Sequence, residues 1–446
     1  MTSEGTSNTA NTMVNATREP LRPGENEIMT GIYRLKNPIQ NYNWGSHDAI
    51  AQLLGQPVPS PEPQAELWMG AHPKAPSQVL VDGEWLPLPD QIDLAPAGVL
   101  GEEVASSFAG KLPFLFKVLS AARALSIQAH PNLEQAREGF ARENQLGIPV
   151  AAPNRNYRDE NHKPEIICAL TPFYALNGFR RLPEMLELLQ QVGSSELRPE
   201  LDHFLARPDE TGLEQFFTAI MTMDAARQRR VVAEVVAFAA EHEPEGMVFE
   251  WIVKLDEQYP GDIGVLSPLL LNLVRLEPGQ AMYSQARQLH AYLYGTGIEL
   301  MANSDNVLRG GLTSKYIDVP ELLEVLTFAE ADVVIQTAEP KLGCDYKFVS
   351  GADEFQLSLI EVGPEAGYSS PVGRSIEVVI CVEGQVTVTD TNGGDRMVIQ
   401  RGESFLVPAT ASGYQIEGQG VLFTAAAHVG ARQVNLAKSD SSGVVL

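Results

Sequence analysis

Leu125-Ser126-Ile127-Gln128-Ala129-His130-Pro131 is the stretch around which the rest of the chain is read. It predicts a short β-strand with Leu125, Ile127 and Ala129 on one face and Ser126, Gln128 and His130 on the other. Pro131 stops it. Side chains two apart on a strand point the same way, so Gln-x-His offers two metal ligands side by side. The plain alternative is a half-buried strand whose polar face meets water. Two further candidate ligands in equally specific settings, Glu165 and His290, favour the metal.

Upstream, residues 112–119 form an apolar run interrupted by Lys117, and a lysine inside a buried strand needs a partner or a cavity. Earlier still, Ala65 to Pro73 contains Trp68, read with Trp44 as core or pocket wall, and His72 on a loop beside a proline, where it can line a site. Downstream, 133–144 reads as an amphipathic helix. Asn156 to Leu170 then sets a charged segment directly against an apolar strand that Glu165 opens, with Lys163 beside it at the strand mouth. Asp159 and Glu160 read as a solvated turn.

From 181 to 262 the alternation disappears. Leu182–Val192, Leu213–Met223 and Ala225–Glu241 carry apolar residues at helical spacing, and Pro260-Gly261 closes the block. It is read as a helical domain of 181–262 inserted between two parts of a β domain, 30–180 and 263–335. Strand pattern returns over 269–276, 288–295 and 298–302, bringing His290. The loop Asn303 to Lys315 mixes Asp305, Arg309, Lys315 and paired glycines, a composition suited to holding an anion against the backbone. A short helix is expected over 320–326. Residues 340–446 read as a second all-β unit containing only His428, outside any ligand pattern. Residues 1–29 are polar enough to be read as a disordered tail.

The chain has 446 residues, 44% of them hydrophobic, and a formal net charge of -25 with a pI near 4.7. That balance argues against nucleic acid or an anionic membrane as partner. An anionic substrate then needs a local cationic cluster. No apolar run is long enough to span a bilayer, and three cysteines without C-x-x-C spacing suit a reducing compartment. The cytoplasm is the expected location.

Gln128, His130, Glu165 and His290 together offer two imidazole nitrogens and two oxygens, a set that suits zinc with an open position, the unusual Gln leaving manganese or iron as alternatives. Lys117, Lys163, Arg309 and Lys315 are cations able to converge on the same mouth. A metal beside a cationic cluster points to a substrate with both a carbonyl or hydroxyl and a phosphate.

These segments resemble the type I mannose-6-phosphate isomerases (phosphomannose isomerases) of the bacterial kind. The carriers are Ala65–Pro73, Leu112–Pro131, Asn156–Leu170 and His290–Lys315, above all Tyr157-x-Asp159-x-Asn161-His162-Lys163-Pro164-Glu165. The resemblance is strong over about 32–330 and weaker beyond. It implies a mainly β fold with an inserted α-helical domain and two cupin-type jelly-roll β-barrels, only the first with a metal site. It further implies one Zn2+ per chain, a sugar-phosphate substrate and a monomer. The activity implied is interconversion of mannose 6-phosphate and fructose 6-phosphate in carbohydrate metabolism, on the way to GDP-mannose. The zinc ligands would be Gln128, His130, Glu165 and His290, the catalytic arginine Arg309, and Lys163 a catalytic lysine. Lys117, Ser126 and Lys315 would contact substrate. Leu289 and the turn Ala286-Arg287 depart from the family pattern next to His290.

Moving a proton between adjacent sugar carbons through an enediol needs a base and an electrophile. His162, Glu299 and Asp305 are the candidate bases, with metal-bound hydroxide a further one. A non-catalytic sugar-binding bicupin would have lost the cationic cluster, which this chain keeps. A metal-dependent dioxygenase would want an apolar pocket instead.

Overall fold

The structure is a computed structural model and describes residues 29–427. The expected tail, Met29 excepted, and His428 lie outside the described residues.

The first β unit is built around one long strand, His290–Ala302, which pairs with four others. Its second half runs antiparallel to Phe114–Ala121 on one side and Glu165–Ala169 on the other. Its first half leaves that sheet to pair with Phe173–Phe179 and Ile127–Ala129. Gly295, at φ +120, marks the change of sheet, and a Cβ there would lie 2.6 Å from the Pro172 carbonyl oxygen. Only glycine fits that close approach. The sequence predicted two separate strands here. The structure keeps one, because the glycine lets the chain turn without ending the ladder. The predicted strand 269–276 begins later, at Leu271, since Pro268 starts a short helix, Ser267–Leu270.

Alternation along these strands sets two faces. Phe116, Val118, Ile166, Cys168, Ile298 and Leu300 point out of the barrel into a core shared with the C-terminal unit. Leu119, Ile167 and Ala169 point inward with Phe173 and Tyr292. Lys117, Glu165 and Glu299 occupy inward positions too, and all three are buried. A barrel interior that turns from apolar to ionic at one end breaks the binary pattern, as functional sites do.

The helices Leu182–Val192, Arg198–Ala206, Glu210–Thr222, Ala225–His242 and Met247–Gln258 form the insertion. Asp209 and Asp224 cap two of them, Asp224 accepting from the backbone N–H groups of Ala226 and Arg227 at 3.0 Å each. Their apolar faces share one core with Ile127, Ala129, Leu271, Ala291 and Leu308. The insertion thereby buttresses the outer side of the strands that carry Gln128 and His290.

In the C-terminal unit two long strands, Glu377–Asp390 and Tyr414–Ala426, pair along their whole length. This sheet also takes in strands from the other end of the chain. Tyr33–Lys36 pairs with Ser404–Val407, and Gln78–Val81 and Glu84–Pro87 continue outward from it. The sequence had assigned those residues to the first barrel. Three short helices between Leu88 and Ser107, not foreseen from the sequence, lie against the same unit through backbone bonds to Ala409 and Thr410. No described helix is long and apolar enough to cross a membrane.

Candidate active site

His130, Glu165 and His290 converge at the ionic end of the first barrel, their ligand atoms all within 4.8 Å of one another. His130 Nε2 lies 3.4 Å from Glu165 Oε1, and His290 Nε2 lies 3.4 Å from Glu165 Oε2. Each side chain is almost fully buried. Neither Nε2 atom has a hydrogen-bond partner. The other ring nitrogens explain why. His130 Nδ1 donates to the Asn306 carbonyl at 2.7 Å and His290 Nδ1 to the Gln288 carbonyl at 3.1 Å. A carbonyl oxygen only accepts, so Nδ1 holds the proton and the Nε2 lone pair is left facing the carboxylate. Two buried, orphaned nitrogen lone pairs and a carboxylate are the donor set of a tetrahedral metal site.

Strand register places Gln128 beside this group. Gln128 lies directly opposite His290 on one side and Arg309 on the other. Cross-strand partners project from the same face. Arg309, Gln128 and His290 therefore form a row that leads from the metal group towards solvent. Ser126 sits two residues before Gln128, half-buried.

Lys163 Nζ lies 2.9 Å from Glu165 Oε1. Burial pulls the His130 imidazole down to about 4, helped by the Lys163 charge. Burial alone would raise the Glu165 carboxyl. Lys163 and the two histidines overcome it and hold the group well below the usual carboxylate range. Both shifts favour a neutral imidazole and an ionised carboxylate, the forms in which such groups can bind a metal.

Lys117 reaches Glu299 Oε2 at 2.7 Å and Glu66 Oε1 at 3.3 Å, with the Trp68 ring 5.8 Å below. Burial raises the Glu299 carboxyl, with Glu165 and Glu66 adding to the effect and Lys117 opposing it. The other two predicted bases are differently placed. His162 Nε2 meets Glu354 of the C-terminal unit at 2.5 Å. Asp305 is 2.7 Å from Lys74 and 3.6 Å from His72 Nε2, and despite burial these cations and Lys163 lower its pKa. His72 is buried edge-on to Trp68 at 4.9 Å.

Arg309 has a cationic neighbour that the sequence reading passed over. Burial lowers its pKa and Arg158 lowers it further. Lys315, an exposed side chain, is lowered by burial of its ammonium end, then by Arg309 and Arg158. Among the described residues none of these three cations has a carboxylate partner within 4.0 Å. In a chain of net charge -25, three cations left without a carboxylate partner are able to hold an anion.

Asp159 corrects the reading of a solvated turn. Its carboxylate accepts from Ser304 Oγ at 2.8 Å and from the Asp305 backbone at 2.7 Å. Asn306, fully buried and also passed over, completes the clamp, donating to the Asp159 and Asn161 carbonyls at 2.9 Å each. The clamp fixes the carbonyl that sets the His130 tautomer. Arg287, in the turn that departs from the family pattern, sits at φ +69 and donates its backbone N–H to the His130 carbonyl at 2.7 Å.

Comparison with known proteins gives the same picture. Residues 32–182 match the catalytic domain of phosphomannose isomerase type I, 188–271 its helical insertion domain, and 345–426 the cupin domain of mannose-6-phosphate isomerase. Mannose-6-phosphate isomerase from Escherichia coli is 43% identical over 393 residues, covering 88% of this chain and 98% of the relative. The chain belongs to the type I phosphomannose isomerases. The relative from Bos taurus is 34% identical, covering 85% of this chain and 94% of its own. Among solved structures, a lysine-to-alanine variant of the Salmonella typhimurium phosphomannose isomerase superposes with a TM-score of 0.83 at 41% identity, covering 89% of this chain and all of that one. A zinc-bound mannose 6-phosphate isomerase superposes at 0.82 with 42% identity and the same coverage. In this family's terms, the row Arg309–Gln128–His290 lies within the first barrel and the clamp on Asn306 at its mouth.

Proposed function

We propose that the chain is a zinc-dependent aldose–ketose isomerase that interconverts mannose 6-phosphate and fructose 6-phosphate through an enediol. The observation that carries this reading is the juxtaposition of two orphaned imidazole nitrogens and a carboxylate with the unpaired cations Arg309, Arg158 and Lys315. It provides for a carbonyl at one end of a small molecule and a phosphate at the other.

His130, Glu165, His290 and Gln128 would hold the zinc. When bound, zinc supplies Lewis-acid polarisation of the sugar oxygens at C1 and C2. Arg158 and Lys315 receive the phosphate, with Arg309 between them and the ligand row. From there its planar fork reaches the oxygens that gain charge in the enediol. Ser126 offers a hydroxyl on the approach. Lys163 keeps Glu165 ionised. Glu299 is assigned the proton transfer, since burial raises the pKa of its carboxyl above the ordinary value and Lys117 holds it in place. His162 and Asp305, tied to Glu354 and Lys74, are assigned to orienting the open and closed forms of the sugar.

One chain supplies every proposed ligand, so a monomer suffices for the site. The buried free thiols Cys168 and Cys381 suit the reducing cytoplasm. A coupled assay of mannose 6-phosphate turnover by the zinc-loaded protein tests the proposal. Turnover that needs zinc supports it, and no isomerisation in protein carrying one zinc per chain overturns it.

A further inference from the structure

The C-terminal barrel contains a cavity of about 630 Å³ at one mouth. Its lining repeats the irregularity seen in the first barrel. Leu357, Leu359, Val378, Phe423 and Ala425 point out into the shared core. The alternate positions face the barrel interior, where Ile360, Val379 and Leu422 are apolar. At the mouth those inward positions become Ser358, Glu377 and Thr424, all buried and all lining the cavity. Arg374 joins them, its side chain only 5% exposed.

Polar groups at this depth have partners as a rule. Here Arg374 Nε and Nη1 and Thr424 Oγ1 have none, and Glu377 Oε2 has at most the Tyr414 hydroxyl, whose ring lies 5.5 Å from the Arg374 guanidinium. Arg374 Nε and Glu377 Oε2 lie 3.4 Å apart, so their charges offset each other without a hydrogen bond of good geometry. The orphaned set mixes donors, an acceptor and hydroxyls. That combination matches ligand hydroxyls, each of which donates and accepts. Tyr368 adds an aromatic ring to the wall. The rim carries Glu102, Glu103 and Asp345 against Lys347, which repels phosphates and carboxylates.

We propose that this cavity is a second binding site, taking a small neutral polyhydroxylated molecule, an unphosphorylated mono- or disaccharide. Glu377 accepts from one ligand hydroxyl, Arg374 donates to another, and Thr424 does both. The volume lies within the range of small-molecule sites. Because the site sits in a different barrel from the metal group, it does not depend on the function proposed above.

The test is calorimetric titration of the full zinc-loaded chain with D-mannose, D-fructose, sucrose and inorganic phosphate. The variants are Thr424→Val, which is isosteric, Glu377→Gln, and Arg309→Ala as a control in the first barrel. At least one sugar should bind saturably, weaken by about tenfold or more in Thr424→Val and Glu377→Gln, and be unchanged in Arg309→Ala. Soaked crystals should show that sugar beside Arg374. No saturable binding below about 50 mM, binding insensitive to both C-terminal variants, or binding that only Arg309→Ala abolishes would each overturn the proposal. So would phosphate binding that Thr424→Val and Glu377→Gln weaken in place of sugar binding.

Discussion

Lys117 and Glu299 stand directly opposite each other on neighbouring strands, and the ammonium is 2.7 Å from the carboxylate in a fully buried setting. A buried carboxylate next to Glu165 and Glu66 ionises only reluctantly, and Lys117 is what opposes that. Lys117→Met should therefore raise the Glu299 pKa further and move the acid limb of the kcat profile to higher pH. Breaking such a pair also destabilises, by about 3–5 kcal/mol. Glu299→Gln should lower kcat by about 10²–10⁴ with KM nearly unchanged and zinc retained. A pH–rate profile of each variant checks both. An unmoved acid limb in Lys117→Met removes Glu299 from the proton transfer.

Arg309 and Arg158 should separate kinetically. Arg309→Ala should reduce kcat on the order of a hundredfold, since the enediol oxygens carry more charge than the bound sugar. Arg309→Lys should recover part of it, an ammonium lacking the fork. Arg158→Ala and Lys315→Ala should raise KM and leave kcat near wild type. Steady-state kinetics with zinc content as control decides, and a rise in KM alone for Arg309→Ala would move that residue to the phosphate.

Asn306→Ala should weaken zinc binding by about 10–100-fold without touching a ligand. It loosens the loop whose carbonyl accepts from His130 Nδ1. Competition with a chromophoric chelator measures this, and unchanged zinc affinity would show that the loop holds its place unaided.

Chelation should lower the melting temperature as well as activity, because a metal held only by the native state stabilises it by about 4 kcal/mol at a thousand times its Kd. In His290→Ala the zinc-dependent part of the shift should vanish while most of the fold remains. Equal melting temperatures of wild type with and without zinc would contradict the site.

Glu377 gives a pH signature in the other barrel. Burial pushes its carboxyl up to about 7, against the pull of Arg374 and with Asp345 adding to it. A carboxyl raised on folding binds its proton more tightly in the native state. Its favourable share is complete below the unfolded value near 4.5 and is lost as the pH rises through about 7. The loss is on the order of 3 kcal/mol. Glu377→Gln should flatten the fall in melting temperature between pH 5 and pH 8, and a parallel fall in both proteins would refute this.

The metal group was legible because its signal is local. Gln-x-His on a strand and a Glu opening the next require only chain spacing, and His290 stands in an otherwise apolar strand. Arg158 and Asn306 escaped because their roles depend on which loops meet. Arg158 looks like one charge among many until Arg309 and Lys315 are placed beside it, and Asn306 looks like a turn residue until its amide bridges two loops. The helical insertion announced itself by its period, whereas the short helices between Leu88 and Ser107 are too brief to show one. Sheet membership was the least readable property. Tyr33–Lys36 alternates equally well for either barrel, and nothing local says that its partner lies more than three hundred and sixty residues away.

That pairing constrains how the molecule can be made. Tyr33–Lys36 is synthesised early, yet the strand that receives it, Ser404–Val407, is among the last to be made. Until then a strand waits with its backbone hydrogen-bonding groups unclaimed, the condition in which nascent chains pair with one another. A clone cut after the first barrel would leave the same edge open permanently. The C-terminal sheet is thus completed only by the start of the chain, and expression of either half alone is expected to give aggregates where the whole chain folds.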